Sequence, residues 1–236
     1  MRVLVVDDHA LVRGVLARFL SGVGDIQVVG EAGDGNEAIA AVRRLCPDLV
    51  LMDVRMPGCD GIEATRRIKL EMPQVKIVAL TISEEVSDLV QIIRNGAEGY
   101  LLKDATPEEL ITALRQVAEG EAALSPRVAA KVFHEFAPNP KSRSELPRTN
   151  DLSPRETEVL RLVAEGASNR EVSARLSLSE STVRNHLHHI LGKLHVRNRL
   201  QAVLVAESYG LLSSSSQQDR GGAWRWGTAR DGLRLK

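Results

Sequence analysis

The 236-residue sequence has few cysteines, few aromatic side chains and no long hydrophobic run. Its two cysteines, Cys46 and Cys59, are too few for a disulfide-rich secreted fold, so we expect free thiols. No apolar segment approaches the roughly 20 residues that a membrane-spanning helix needs. The first residues, MRVLVVDDHA, place two acids directly after a very short apolar stretch, which is not the pattern of a signal peptide. These absences predict a cytoplasmic protein that does not bind a membrane.

Acidic and basic residues balance over the whole chain, with 31 of each, but not within its two halves. Residues 1–124 carry 20 acidic and 13 basic side chains, whereas residues 125–236 carry 11 acidic and 18 basic ones. The chain is long enough for two small domains, each with its own core. The asymmetry predicts that the two bind different partners, with a polyanion as the candidate for the basic half.

Short aliphatic runs alternate with amphipathic segments over residues 1–120. This alternation predicts a doubly wound α/β domain with five strands in a mainly parallel sheet. Ligands of such sheets bind at the carboxyl ends of the strands, so the residues at those ends carry the most information about function. The predicted strands are residues 2–6, 26–32, 48–54, 75–81 and 98–103.

Polar side chains end four of these strands: Asp7 and Asp8, Asp53, Thr81, and Lys103. Carboxylates that converge on one edge of a sheet repel one another and therefore need a cation or protons. Oxygen ligands of this kind suit Mg²⁺, so we predict a magnesium site. The first loop, DDHALVRG, has no glycine-rich phosphate-binding pattern and would repel a pyrophosphate, which excludes dinucleotide and flavin binding.

These five side chains and the segment LMDVRMPGCDG resemble the receiver domain of two-component response regulators over residues 1–120. The resemblance implies a flavodoxin-like, CheY-like fold in which a sensor histidine kinase phosphorylates Asp53. It further implies that Mg²⁺ is held by Asp8, Asp53 and the backbone carbonyl of Arg55, and by Asp7 through a water molecule.

The same resemblance assigns roles to the remaining polar positions. Lys103 and Thr81 would bind phosphoryl oxygens, and Tyr100 corresponds to the aromatic residue that turns inward on activation. Bulky Ile82 stands where receivers commonly have a small residue, which predicts slower access to the phosphoryl group. The surface expected to change on phosphorylation is that of helix four, strand five and helix five, around Val86, Leu89, Tyr100 and Thr106.

Four short helices are predicted in the second half, with a tight turn at Ser177-Leu178 before the third. This arrangement is typical of a helix-turn-helix. One face of the third helix presents Arg184, Asn185 and His188, of which Arg and Asn are the side chains that read guanine and adenine edges. Basic residues near the end of this helix, Lys193, Arg197 and Arg199, suit phosphate contacts.

The segments LSPRE, EGASNREVSARL, STVRNH and KLHVRNR resemble the LuxR-type helix-turn-helix domain over residues 150–212. The resemblance makes Arg184, Asn185 and His188 the base-facing candidates. It also implies that the final helix, with Ala202, Val203 and Val205, forms dimers. The candidates for contacts with the DNA backbone are Asn169, Thr182, Lys193, Asn198 and Arg199.

The two halves together resemble a response regulator of the NarL/FixJ subfamily. The expected partners are promoter DNA, a cognate sensor histidine kinase and a second copy of the chain, with RNA polymerase as a further candidate. Two alternatives remain at this point: a DNA-binding regulator that works without phosphorylation, and a Mg²⁺-dependent phosphohydrolase with Asp53 as nucleophile. Apart from phosphorylation of Asp53, no catalytic residue is assigned and the protein is not expected to be an enzyme.

Composition also predicts two segments outside these domains. Residues 121–149 are expected to form a linker with a short helix over 125–136, and residues 213–236 a disordered basic tail. The tail contains Trp224 and Trp226, to which we assign no function.

Overall fold

A computed structural model describes residues 1–82, 85–124 and 152–208 of the chain. The short helix expected over 125–136 and the tail expected from residue 213 lie outside the described residues. In the described part of the chain, no helix is both long and apolar enough to cross a bilayer.

The first domain is built on a parallel sheet with strand order β2-β1-β3-β4-β5-β6. Central strands β1, β3 and β4 are almost continuously apolar because helices cover both faces of the sheet. The strands are β1 (Arg2–Val6), β2 (Gln27–Ala32), β3 (Leu49–Asp53), β4 (Lys76–Thr81), β5 (Gly99–Leu102) and β6 (Ala123–Leu124).

The predicted sheet had five strands, and the structure adds a sixth. Ala123–Leu124 pairs in parallel with β5, with Ala123 opposite Gly99 and Leu124 opposite Tyr100. Two residues are too short a run to give a periodic signal, so the sequence pattern did not reveal this strand.

Five helices alternate with the strands, and their starts follow from capping residues. The Asp34 and Asp60 side chains accept hydrogen bonds from backbone amides in the first turns of α2 and α3. Thr106 and Glu109 form a capping box at the start of α5. The helices are α1 (Ala10–Ser21), α2 (Gly35–Leu45), α3 (Gly61–Glu71), α4 (Val86–Arg94) and α5 (Pro107–Ala118).

The second domain is a bundle of four short helices around one apolar core. Ser153 with Glu156 and Ser168 with Glu171 form capping boxes, and Ser179 caps the third helix. Ser177 adopts a left-handed conformation (φ 53°) at the predicted tight turn. The helices are α6 (Pro154–Ala164), α7 (Asn169–Leu176), α8 (Glu180–Lys193) and α9 (Arg199–Ser208).

Helix α9 also packs against the first domain. Its Leu200 and Leu204 are buried in the same apolar cluster as Leu89, Ile92 and Ile93 of α4. We call the contacts between α9 and α4, with the adjoining polar contacts described below, the interdomain seam. The seam places the final helix of one domain on a helix that lies beside the acidic edge of the other.

Candidate phosphoacceptor site and nucleic-acid interface

Three aspartates meet at the carboxyl edge of the sheet because β1 and β3 are hydrogen-bonded neighbours. Val6 lies opposite Met52, so Asp7 and Asp53, one residue further along each strand, lie side by side. We call Asp7, Asp8 and Asp53 the acidic rim. Gly61 permits the close return of α3, because a Cβ at this position would lie 2.0 Å from the carbonyl oxygen of Asp53.

The side chain of Lys103 contacts two of the three aspartates of the acidic rim. Its Nζ donates a hydrogen bond to Oδ2 of Asp53 at 2.7 Å and lies 2.7 Å from Oδ2 of Asp7, where the contact is an ion pair without hydrogen-bond geometry. The backbone amide of Lys103 donates to the carbonyl oxygen of Thr81 at 2.7 Å. Four of the five side chains predicted for this site, those of Asp7, Asp8, Asp53 and Lys103, therefore converge, and buried Thr81 ends the adjacent strand.

Burial and charge act in opposite directions on these groups. Burial raises the pKa of Asp53, and the ammonium of Lys103 offsets only part of this effect. Burial alone would lower the pKa of Lys103, but its contacts with Asp53 and Asp7 outweigh that, and the pKa is raised. Lys103 therefore remains charged beside the phosphoacceptor candidate at neutral pH.

The acidic rim suits a divalent cation. One ligand atom from each of Asp7, Asp8, His9 and Asp53 falls in a group whose members all lie within 4.8 Å of one another. Three carboxylates and one ammonium leave a formal charge of about −2, which a dication would neutralise. The hard oxygen donors match the preference of Mg²⁺.

The side-chain contacts of two neighbours of the rim, His9 and Arg55, were not predicted from the sequence. His9 lies with Nδ1 2.8 Å from Oδ1 of Asp8, and its position next to the aspartate pair is the only signal that pointed to it. Arg55 sends its side chain away from the rim, with Nε donating to Asp88 at 2.8 Å and Nη2 to Glu85 at 2.6 Å. Arg55 lies 33 residues from Asp88 and 30 residues from Glu85 in the sequence, so no local pattern predicts these two contacts.

The structure also shows the surroundings of most of the remaining positions that the receiver resemblance singled out. Tyr100 is fully buried in β5, and Ile82 is 79% exposed at the end of β4. Leu89 is buried in the seam, whereas the side chain of Val86 lies outside the described residues. Thr106 caps α5.

Helix α8 carries the base-facing candidates on its solvent side. Arg184, Asn185 and His188 are all exposed, whereas Val183 and Leu187 point into the core. Ser179 begins the helix by accepting a hydrogen bond from the backbone amide of Thr182. This end of α8 has the exposed, polar surface that a recognition helix needs for the major groove.

The five candidates for contacts with the DNA backbone have partners within the protein. Lys193 pairs with Glu156 at 2.7 Å, and the hydroxyl of Thr182 lies 2.8 Å from that of Ser179. The other three, Asn169, Asn198 and Arg199, are buried.

These three buried residues surround the interdomain seam. Asn198 donates to the carbonyl oxygen of Ala97 at 3.0 Å, and the backbone amide of Asn169 donates to Glu121 at 2.9 Å. Arg199 donates to Asn169 and to the carbonyl oxygen of Ala167, and burial lowers its pKa to about 10. Contact of Asn198 with a phosphate would therefore require the seam to open.

The Glu156–Lys193 pair connects the first and third helices of the second domain. Burial would raise the pKa of Glu156, but Lys193 and the hydroxyl and backbone amide of Ser153 outweigh it and lower the pKa to about 2. This pair fixes the C-terminal end of α8 to the capping box of α6.

Comparison with known families agrees with this division. Residues 3–115 match the family model described as the response regulator receiver domain, and residues 150–206 match the bacterial regulatory proteins of the luxR family. The chain belongs to the response regulators that join a receiver to a LuxR-type DNA-binding domain.

Individual relatives match this chain along nearly their whole length. The chain is 42% identical to the uncharacterized transcriptional regulatory protein YxjL of Bacillus subtilis, covering 90% of this chain and 97% of YxjL. It is 39% identical to the response regulator protein VraR of Staphylococcus aureus, covering 90% and 99%. A solved structure of two RcsB dimers bound to two parallel DNAs is similar with a TM-score of 0.53 and 28% identity, covering 88% of this chain and 98% of RcsB.

Proposed function

We propose that Asp53 accepts a phosphoryl group from a sensor histidine kinase and that this modification controls promoter binding by the helical domain. The observation that carries the proposal is the geometry of Asp53, which is buried, bridged to Asp7 by Lys103 and grouped with the other two aspartates of the acidic rim. A carboxylate held in this way is a suitable nucleophile for covalent phosphoryl transfer.

Phosphoryl transfer to Asp53 needs no reactant other than the phosphohistidine of the kinase. One oxygen of Asp53 attacks the phosphorus of a phosphohistidine, the new O–P bond forms as the P–N bond breaks, and the imidazole leaves with the electron pair and takes up a proton. Lys103, which already pairs with Asp53, would neutralise charge on the phosphoryl oxygens, and Thr81 would donate a hydrogen bond to another of them. Tyr100, on the neighbouring strand, would adjust its packing as Thr81 moves.

Magnesium is the cofactor that these residues would hold. Asp8, Asp53 and the backbone carbonyl of Arg55 would bind it directly, with Asp7 acting through water. Bound there, the ion supplies neutralising charge for the phosphoryl group.

The DNA-binding half of the proposal rests on α8. Arg184, Asn185 and His188 would read base edges, while Thr182, Asn169, Lys193, Asn198 and Arg199 would contact the backbone. Their position in a domain that belongs to the LuxR-type family supports this assignment. The expected location is the cytoplasm, where promoter DNA and RNA polymerase are accessible.

The interdomain seam supports control by phosphorylation. Helix α9, which resembles the dimerising helix of the family, is packed on α4, so its apolar side chains Leu200 and Leu204 are not accessible to a second copy. Separation of the domains would expose α9 for a homodimer and release Asn198 at the same time. RcsB is a relative that binds DNA as dimers.

Phosphodonor labelling tests the proposal. We expect acetyl phosphate with Mg²⁺ to label the full-length protein and Asp34→Asn, a matched variant that keeps a capping side chain on α2. Asp53→Asn should remain unlabelled by intact mass, and continued labelling of that variant would contradict the site.

The same samples test the link to DNA. Labelled wild type should bind promoter fragments more tightly than unlabelled protein, with Asp53→Asn unresponsive to the donor. Equal affinity with and without label would favour a regulator that works without phosphorylation.

A further inference from the structure

Helix α4 is attached at its N-terminal end to the loop that follows Asp53. The guanidinium of Arg55 donates to Asp88 in the first turn of α4 and to Glu85 immediately before it, at 2.8 and 2.6 Å. The backbone amide of the same arginine lies 3.3 Å from Oδ1 of Asp53. One residue therefore contacts the phosphoacceptor candidate through its backbone and α4 through its side chain.

The C-terminal end of α4 is attached to the DNA-binding domain. Gln201 of α9 donates from Nε2 to the carbonyl oxygens of Ile93 and Arg94 at 2.7 and 3.1 Å. Asn198 adds a hydrogen bond to Ala97, three residues beyond the end of α4. The short helix thus spans the distance between the acidic rim and the interdomain seam.

We propose that Arg55 is a positioning residue that couples phosphorylation of Asp53 to the placement of α4. The inference rests on the proposed phosphorylation. A phosphoryl group carries a charge of roughly −1.5 to −2 and offers three acceptor oxygens. The planar donors of arginine fit carboxylates and phosphates alike, so the larger charge and the third acceptor oxygen of the phosphoryl group are what would favour it over Glu85 and Asp88.

The added charge would compete with Glu85 and Asp88 for the guanidinium. The side chain of Arg55 is 53% exposed and that of its partner Glu85 is 61% exposed, so that pair can exchange partners at low cost, whereas the Asp88 side chain is only 15% exposed. Loss of the two contacts would remove the attachment of the N-terminal end of α4 to the loop that follows Asp53. Movement of α4 would then displace the carbonyl groups that Gln201 and Asn198 use.

Hydrogen exchange of the α4 backbone amides in the full-length protein tests this coupling, with label stoichiometry measured on the same samples. Arg55→Gln removes the guanidinium, and Glu85→Gln combined with Asp88→Asn removes its two partners while keeping Arg55. The matched control is Arg43→Gln, which breaks the exposed Arg43–Glu71 pair elsewhere on the receiver.

We expect labelling to accelerate exchange in α4 of wild type and of the Arg43→Gln control. Arg55→Gln and the combined Glu85→Gln, Asp88→Asn variant should exchange about two- to fivefold faster than wild type before labelling, the range expected for surface ion pairs. The further acceleration on labelling should be absent in Arg55→Gln, whereas Arg55→Lys should restore part of it by keeping the charge.

Two different failures can be separated. A wild-type protein that takes no label overturns the proposed function and this inference together. Normal labelling, with Arg55→Gln showing the wild-type baseline and the wild-type response in α4, overturns the role of Arg55 alone.

Discussion

The interdomain seam depends on Gln201 in a way that can be measured. Its Nε2 donates to two carbonyl oxygens at the end of α4, at 2.7 and 3.1 Å. A protein hydrogen bond contributes about 0.5–1.5 kcal/mol net. Because Gln201 is only partly buried, we take the lower half of that range and expect Gln201→Ala to weaken domain docking by about 1–2 kcal/mol.

That loss would appear as tighter DNA binding by the unphosphorylated protein. If only the open form binds promoter DNA, the apparent Kd is the intrinsic value divided by the open fraction. A change of about 1–2 kcal/mol multiplies a small open fraction by roughly five- to thirtyfold. Fluorescence anisotropy with a labelled promoter fragment should therefore show the Kd of Gln201→Ala falling by that factor.

The control is Gln91→Ala, which removes an exposed glutamine from α4. Its Kd should equal that of wild type. If Gln201→Ala binds DNA no more tightly than Gln91→Ala, while both proteins are folded, the seam does not restrain DNA binding and the reasoning fails.

Three further outcomes follow from single contacts. The pKa of Glu156 is lowered to about 2 from an ordinary 4.5, so its ionised carboxylate stabilises the helical domain fully above pH 4.5. Up to roughly 3 kcal/mol of the free energy of unfolding is lost as the pH falls towards 2. Urea unfolding at a series of pH values checks this, and Glu156→Gln should lose the pH dependence. Arg184→Ala should weaken specific DNA binding by about 1–3 kcal/mol, and an unchanged gel-shift affinity would remove Arg184 from the interface. Glu98→Gln should lower the free energy of unfolding by about 3–5 kcal/mol, because it leaves the buried Lys69 ammonium, 2.5 Å from Glu98, without its counter-charge. In a double-mutant cycle, adding Lys69→Met should restore much of that stability. Strictly additive losses would contradict the pairing.

Much of the fold was predictable because local patterns and global packing agree. Apolar runs flanked by capping residues such as Asp60, Thr106 and Ser153 fix where helices begin, and parallel strands necessarily bring their carboxyl ends together. The convergence of Asp7 and Asp53 follows from that topology alone.

The contacts between distant residues were not predictable in the same way. The links from Arg55 to Asp88 and from Gln201 to Ile93 join residues 33 and 108 positions apart, and neither leaves a periodic pattern. The burial of Arg199 was not predictable from its charge, because an arginine can satisfy backbone carbonyls as readily as phosphates.

The short strand β6 fixes the point at which the main chain leaves the receiver. Leu124 lies opposite Tyr100, so the exit of the connecting chain is hydrogen-bonded to the strand that leads directly to Lys103. A movement of β5 would therefore move β6, where the linker begins, as well as the surface formed by β5 and its neighbouring helices. Insertions intended to lengthen the linker should be placed after Leu124. An insertion before Leu124 would shift the register between β6 and β5 and separate β6 from the sheet.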